Sequence, residues 1–217
     1  MVINHERRWV YLGPPKTGST TLTYLLTDGD DWNNRQPMRR AIFGGSKYAG
    51  QHAMDIPEAC RDYFVFASIR SPYSRAVSLW WQWNIQSERT REHPDMSFEV
   101  FLETLLGWQE DTNAEAVPGN GFYHFTLTRW FKWVPRIDRY IRQEALAEDL
   151  SRLGLVEAVV VPLQNSAPDF RSDRFGARAP GDWIRFCTPK AVDLIRHWAC
   201  EDFENLGYSS DLTESVV

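Results

Sequence analysis

A loop at residues 13–21 combines the groups that bind an anionic phosphate. Its residues, Gly-Pro-Pro-Lys-Thr-Gly-Ser-Thr-Thr, follow the apolar run Trp9–Leu12 and lead into a helix-forming stretch, Thr20–Leu26. A strand, a tight loop and a helix start in this order present backbone N–H groups at the positive end of a helix, where anions bind. Lys16 adds a positive charge inside the loop. The pattern predicts a phosphate cradle, with an ordinary strand-to-helix turn as the alternative.

The loop departs from the Walker A loop of nucleoside triphosphatases at one position. Gly13 and Gly18 have the Walker A separation, but Ser19 occupies the place of the P-loop lysine, and Lys16 lies inside the loop instead. No clear Mg²⁺-binding aspartate follows an apolar strand. A P-loop kinase is therefore the second choice for this motif.

A second candidate anion site begins at Arg70. It follows the apolar run Tyr63–Ile69, which is typical of a strand buried on both faces of a parallel sheet. Pro72 then opens a helix in which Ser74 and Ser78 share one face. Arg70 offers a planar fork of donors to phosphate oxygens, unless it is simply a solvated arginine. Because ligands of open α/β sheets bind beyond the carboxyl ends of strands, the two motifs support each other.

Together the two motifs resemble those of sulfotransferases that use 3′-phosphoadenosine 5′-phosphosulfate (PAPS), and the carbohydrate type more than the small cytosolic phenol and steroid type. The loop is similar to their 5′-phosphosulfate loop. The segment Arg70–Ser78 is similar to their Arg-x-Pro-x-x-Arg-x-x-Ser element, which grips the 3′-phosphate. Weaker similarities follow at Tyr140–Asp149, Pro162–Ser166 and Asp202–Tyr208.

The resemblance implies a co-substrate and a set of site residues. PAPS would donate the sulfuryl group, adenosine 3′,5′-bisphosphate would be the product, and no metal would take part. Lys16 would be catalytic, because its charge would stabilise the leaving phosphate. The backbone amides of residues 17–20 would contact phosphate oxygens. The implied nucleotide-binding residues are Pro15, Lys16, Thr17, Gly18, Ser19, Thr20, Thr21, Arg70 and Ser78.

His52 is the candidate general base that takes the hydroxyl proton of the acceptor. It ends a predicted second strand at 47–52, near the carboxyl edge of the sheet. Carbohydrate sulfotransferases often place a histidine or glutamate there. The alternative is a structural histidine bonded to backbone, with Asp55 and Glu58 as nearby replacement bases.

Aromatic and basic side chains further along are candidates for acceptor and nucleotide contacts. Trp80, Trp81 and Trp83 lie on one predicted helix, and neighbouring helical positions do not all face the same way. We therefore expect one or two in the core, with the acceptor cleft as a candidate place for another, where an indole suits a sugar ring. Core packing is the favoured reading for any single one. Three arginines in a predicted loop at 170–182 are expected either to close over the nucleotide or to be solvated.

The wider pattern predicts an α/β protein, a three-layer P-loop-like fold with a mainly parallel central sheet flanked by helices. Strands are predicted at 9–12, 47–52, 63–69, 137–141 and 158–162. Helices are predicted at 20–26, 72–85, 97–106, 144–153 and from the Thr188-Pro189 cap onward. No repeat or linker divides the chain, so residues 1–217 are expected to form a single domain with a frayed tail from about residue 209.

Composition limits the partners and the compartment. A net charge of −5 disfavours a dedicated binder of nucleic acid or of a highly sulfated polyanion. Cys60, Cys187 and Cys200 are scattered and lack metal-ligand spacing, which indicates reduced thiols and a cytoplasmic location. We expect neither a signal peptide nor a membrane span.

These features predict a sulfotransferase that moves a sulfuryl group from PAPS to a hydroxyl acceptor, a carbohydrate or glycoconjugate, by in-line attack with a general base. A P-loop-type nucleotide or small-molecule kinase is the alternative, and a non-catalytic nucleotide- or partner-binding module is the third reading. The acceptor, its regiochemistry and the oligomeric state stay open at this point.

Overall fold

A computed structural model describes five stretches of the chain: 1–26, 55–90, 96–110, 125–154 and 181–214. The chain divides into two compact units. Unit 1 comprises Met1–Ile69 with Lys132–Arg174, and unit 2 comprises Arg70–Phe131 with Phe175–Val217.

The described regular elements comprise strands, α-helices and short 3-10 turns. The strands are β1 (Val2–Asn4), β2 (Trp9–Leu12), β3 (Phe64–Ile69) and β4 (Arg139–Arg142). The α-helices are α1 (Ser19–Leu26), α2 (Pro72–Thr90), α3 (Phe98–Glu110), α4 (Leu127–Phe131), α5 (Leu146–Arg152), α6 (Pro189–Trp198) and α7 (Cys200–Leu206). The 3-10 turns are Glu58–Cys60, Gln143–Ala145 and Asp182–Phe186.

The described part of unit 1 is built on a four-stranded sheet in the order β1-β2-β3-β4. Strand β1 is antiparallel to β2, while β2, β3 and β4 run parallel. Helices α1 and α5 pack apolar side chains against one face of this sheet, around Tyr11, Phe66 and Ile141. The mixed α/β class and the mostly parallel sheet are therefore confirmed.

Most described elements lie where their sequence patterns predict them. Strand β2 has its predicted bounds, α2 runs five residues beyond the predicted 85, and α3 extends to Glu110. The predicted helix at 144–153 divides into a 3-10 turn and α5, while β1 and α4 were not predicted. The predicted strands at 47–52 and 158–162 lie outside the described residues.

Unit 2 is helical where it is described, with a core shared by α2, α3, α6 and α7. The helix predicted from the Thr188-Pro189 cap onward is interrupted at Ala199, whose backbone leaves the helical region, so that two helices form instead of one. Thr188 caps α6 as predicted, since its side chain accepts a hydrogen bond from the amide of Ala191 at 3.2 Å.

The three tryptophans of α2 follow the core reading that was favoured for each of them. Trp80, Trp81 and Trp83 are all buried, with 6, 8 and 5% of their surface exposed. Trp80 packs on Phe98 and Phe186, whereas Trp83 packs on Phe101 and Trp108, so apolar partners cover more than one side of α2. Within the described residues these indoles are core side chains, and none of the three is exposed as a platform for an acceptor.

The segment predicted as a frayed tail carries hydrogen bonds up to Glu214. The carbonyl oxygen of Ser210 accepts from Tyr73 Oη at 2.6 Å and from Arg196 Nε at 2.9 Å. Ser209 Oγ donates to Glu214 at 2.7 Å. In the described ranges no helix is both long enough and apolar enough to span a membrane.

Candidate nucleotide-binding site

The loop between β2 and α1 folds back tightly on itself at Gly13. A Cβ atom added there would lie 2.8 Å from Ser19 Cβ and 3.1 Å from Tyr11 Oη. Only glycine avoids this collision, so Gly13 permits the close approach of the loop's start to the first turn of α1.

The backbone of the loop alternates between positive and negative φ at residues 16–18. Lys16 has φ of 67° and Gly18 has φ of 80°, while Thr17 between them stays outside the left-handed region. Such alternation lines up successive amides into an anion-binding nest. A lysine in the left-handed region is strained and persists only where its surroundings hold it, which points to a functional reason.

Buried hydroxyl groups hold the loop to the sheet. Thr17 Oγ1 donates to the carbonyl oxygen of Pro14 at 2.8 Å and lies 2.6 Å from Ser68 Oγ on β3. Ser68 Oγ is also 2.8 Å from Tyr11 Oη. All three side chains are fully buried, and this burial raises the pKa of Tyr11 above its ordinary value.

The loop's side chains differ in what they can offer a ligand. Thr17 is turned inward, so only its backbone amide can serve the predicted phosphate contact. Ser19 and Thr21 are also buried, and Lys16 is half-buried. The amide of Leu22 donates to Gly18 O at 3.0 Å, which places residues 19–21 in the first turn, where amides of an α-helix have no intrahelical acceptor.

Gln143 is a neighbour of the loop that sequence reasoning missed. It starts the 3-10 turn directly after β4, and its Cγ would lie 3.1 Å from a Cβ added at Gly18. Any other residue at position 18 would therefore crowd Gln143 and would also be strained by the positive φ. The sequence could have indicated Gln143, because it closely follows a predicted parallel strand and ligands of such sheets bind beyond the carboxyl ends of the strands.

In unit 2, Arg70 is fixed by the helix that follows it. Its Nε donates to Ser74 Oγ at 2.8 Å, and Ser74 Oγ in turn lies 3.3 Å from the carbonyl oxygen of Ser71. Ser78 lies one turn further on and is half-buried, as is Arg70. The structure thus brings Arg70 and Ser74 together, and it uses the Ser74 hydroxyl to orient the guanidinium.

The second arginine of this motif, Arg75, has a structural role. It is fully buried, donates from Nη2 to the carbonyl oxygen of Phe125 at 2.8 Å, and lies over the Trp198 ring. Burial lowers the pKa of Arg75 to about 10, an effect that Asp202 opposes and the charge of Arg70 reinforces.

Asp202 holds the start of α4 and acts electrostatically on Arg75. Its carboxylate accepts from the amide of Leu127 at 2.9 Å and from that of Thr128 at 2.6 Å, which caps this short helix. Burial raises the pKa of Asp202, against the opposing effect of Arg75 and the two amides. The weak similarity at Asp202–Tyr208 therefore contains a residue that organises unit 2.

Several predicted site residues are not brought together by the described structure. His52 and the arginines of the predicted loop at 170–182 lie outside the described residues. Asp55 and Glu58 are exposed, and Glu58 pairs with Arg61 at 3.1 Å. Among the described residues there is no group of three His, Cys, Asp or Glu side chains placed to hold a metal.

The described part of the chain combines a mostly parallel sheet with a lysine-bearing loop between β2 and α1, in which Lys16 has a positive φ. The chain belongs to the sulfotransferase family, whose model matches residues 1–146. That range includes both motifs and confirms the resemblance drawn from them. The chain shows no significant similarity to a curated protein or to a solved structure.

Proposed function

We propose that this member of the sulfotransferase family transfers a sulfuryl group from PAPS to a hydroxyl group of a carbohydrate or glycoconjugate. The observation that carries the proposal is the loop, in which Lys16 is held in the left-handed region between Pro14 and the buried Thr17. The donor set of amides and one ammonium fits an anionic phosphosulfate. We also propose that the whole chain has a three-layer P-loop-like fold, with helices on both faces of the sheet.

In the proposed reaction the acceptor oxygen forms a bond to sulfur while the bond from sulfur to the bridging phosphate oxygen breaks. The electron pair of the broken bond stays on the phosphate oxygen, which becomes more negative. Lys16 and the amides of the loop stabilise this developing charge, so they act more strongly on the transition state than on the bound donor.

Arg70 and Ser78 are proposed to bind the 3′-phosphate. The Nε bond to Ser74 leaves the orientation of the Arg70 fork defined by the protein, which suits bidentate binding of a phosphate. Ser78 adds a hydroxyl on the same face of α2 as Ser74.

His52 is proposed to remove the proton of the acceptor hydroxyl during attack. Its replacement by alanine should lower turnover by about 10²–10⁴-fold and leave nucleotide affinity unchanged, because a base touches the acceptor and not the adenosine. Near-full turnover of His52→Ala on the true acceptor would move the role to Asp55 or Glu58.

We also propose a cytoplasmic location, on the ground that Cys60, Cys187 and Cys200 are all free thiols. Imaging a fluorescent fusion in the source cells tests this location. A secreted product would contradict it.

Two measurements test the proposed donor. Calorimetry compares adenosine 3′,5′-bisphosphate with adenosine 5′-phosphate, and mass spectrometry follows transfer from PAPS to a panel of glycans. Tighter binding of the bisphosphate is expected, together with a glycan product that carries a sulfuryl group. High mass accuracy separates this group from a phosphoryl group, whose nominal mass is the same. Equal affinity would exclude the 3′-phosphate role, and phosphate transfer from ATP with Mg²⁺ would indicate a kinase.

A further inference from the structure

We propose that Tyr11 and Ser68 are positioning residues that hold the loop so that Lys16 stays in its left-handed conformation, and that they thereby set the rate of sulfuryl transfer. The inference rests on the proposed function. Neither residue belongs to the motifs that identify the loop, and both act through the loop rather than on the substrate.

The hydroxyl chain has one possible direction. Each hydroxyl has a single proton to donate, and the carbonyl oxygen of Pro14 can only accept. The proton of Thr17 is therefore committed to Pro14, at 2.8 Å. Thr17 must then accept from Ser68 at 2.6 Å, and Ser68 must accept from Tyr11 at 2.8 Å. A raised pKa of Tyr11 keeps its hydroxyl protonated as the first donor.

The same chain encloses Lys16. The bond from Thr17 to Pro14 closes a turn around Pro15 and Lys16, and Ser68 ties that closed turn to β3. Tyr11 and Ser68 can meet because they share one face of the sheet, where Tyr11 pairs with Phe66 two residues before Ser68. Aligned hydrogen bonds of this kind strengthen one another in a buried setting.

Loss of this anchor has a specific consequence. A lysine adopts the left-handed region only at a cost, so a loop released from β3 is free to return Lys16 to an ordinary conformation. Displacing a catalytic group by about 1 Å can lower a rate by about 100-fold. Binding of the adenosine part, which does not depend on Lys16, should change little.

The test uses the variants Ser68→Ala and Tyr11→Phe, alone and combined with Lys16→Ala, in the full chain. We expect Ser68→Ala to lower kcat by about 10–100-fold and Tyr11→Phe to lower it less. The Kd of adenosine 3′-phosphate, which lacks the 5′-phosphate that the loop would hold, should change little. In the Lys16→Ala background each change should lower kcat much less than in the wild type, because the charged group being positioned is gone and only the loop amides are still affected. Tyr63→Phe is the matched control, since its hydroxyl contacts His5 at 3.1 Å in the same unit and away from the loop.

Equal losses of kcat with and without Lys16 would overturn the inference, as would a Tyr11→Phe variant that behaves like Tyr63→Phe. Thermal unfolding of every variant identifies one that fails to fold, and if Ser68→Ala fails, Tyr11→Phe decides the question. If the wild-type chain neither binds the bisphosphate nor transfers sulfuryl groups, the proposed function fails, and hydrogen exchange at amides 16–19 still decides this inference. Faster exchange in Ser68→Ala and Tyr11→Phe than in Tyr63→Phe supports the anchor, and unchanged exchange overturns it.

Discussion

The loop at 13–21 and the segment Arg70–Ser78 are both strand-to-helix turns, yet different forces hold them. Neutral hydroxyl and carbonyl groups hold the loop, around Thr17 and Ser68. In unit 2 the helix start carries a buried charge, Arg75, whose pKa the charge of Asp202 raises against the effect of burial. The contrast separates two kinds of mutational effect: changes around the loop should act on turnover, while changes around Arg75 should act on stability.

The largest expected effect is on the stability of unit 2. Asp202→Ala leaves the amides of Leu127 and Thr128 without their charged acceptor, so we expect a loss of about 3–5 kcal/mol in the free energy of unfolding. Urea denaturation measures this loss. The control is Asp193→Ala, since Asp193 is exposed and forms only a surface pair with Arg196 at 3.7 Å. Similarly small losses in the free energy of unfolding for both variants would contradict the structural role of Asp202.

The next largest effect is on turnover at Lys16. Lys16→Ala and Lys16→Gly should each lower kcat by about 10²–10³-fold, because both remove the charge that meets the leaving phosphate. The two variants should differ in stability, since glycine tolerates the positive φ and alanine does not. We expect the free energy of unfolding of the glycine variant to be about 1 kcal/mol higher than that of the alanine variant, so that the glycine variant is the more stable. Equal stabilities would mean that the strain at residue 16 is not present in solution.

A smaller effect is expected on nucleotide affinity at Arg70. Arg70→Ala should weaken binding of adenosine 3′,5′-bisphosphate by about 1.5–3 kcal/mol, the value of hydrogen bonds to a charged group. Binding of adenosine 5′-phosphate serves as the control ligand and should change little. A uniform loss for both nucleotides would show that Arg70 supports the fold of its helix instead of reading the 3′-phosphate.

The smallest expected effect is that of metal removal. Lys16 already supplies a cation to the loop, so turnover in excess EDTA should equal turnover with added Mg²⁺. Initial rates with PAPS and a responsive acceptor measure this. Strict dependence on Mg²⁺ would contradict the proposed role of Lys16 as the principal counter-charge.

Local patterns predicted the elements that carry the candidate site. The apolar run before Arg70 predicts β3, the Gly-Pro-Pro sequence predicts the turn after β2, and Pro72 predicts the start of α2. Such patterns succeed because burial on both faces of a strand, the fixed φ of proline and the freedom of glycine act within a few residues. The motif spacing was enough to identify the family.

Contacts across long stretches of chain could be decided only by the tertiary structure. Ser68 meets Thr17 across 51 residues, and Asp202 meets Leu127 across 75. Nothing in the spacing of these residues marks them as partners, because their meeting depends on strand order and helix packing.

The alternation of φ at residues 16–18 is another feature that only the tertiary structure could decide. Lysine rarely adopts the left-handed region, and only its surroundings hold it there. By itself, the sequence determined the class of protein, the loop and the chemistry of its donors. The three-dimensional packing decided which hydroxyl groups anchor that loop, because a hydrogen bond requires its two atoms to meet at about 3 Å.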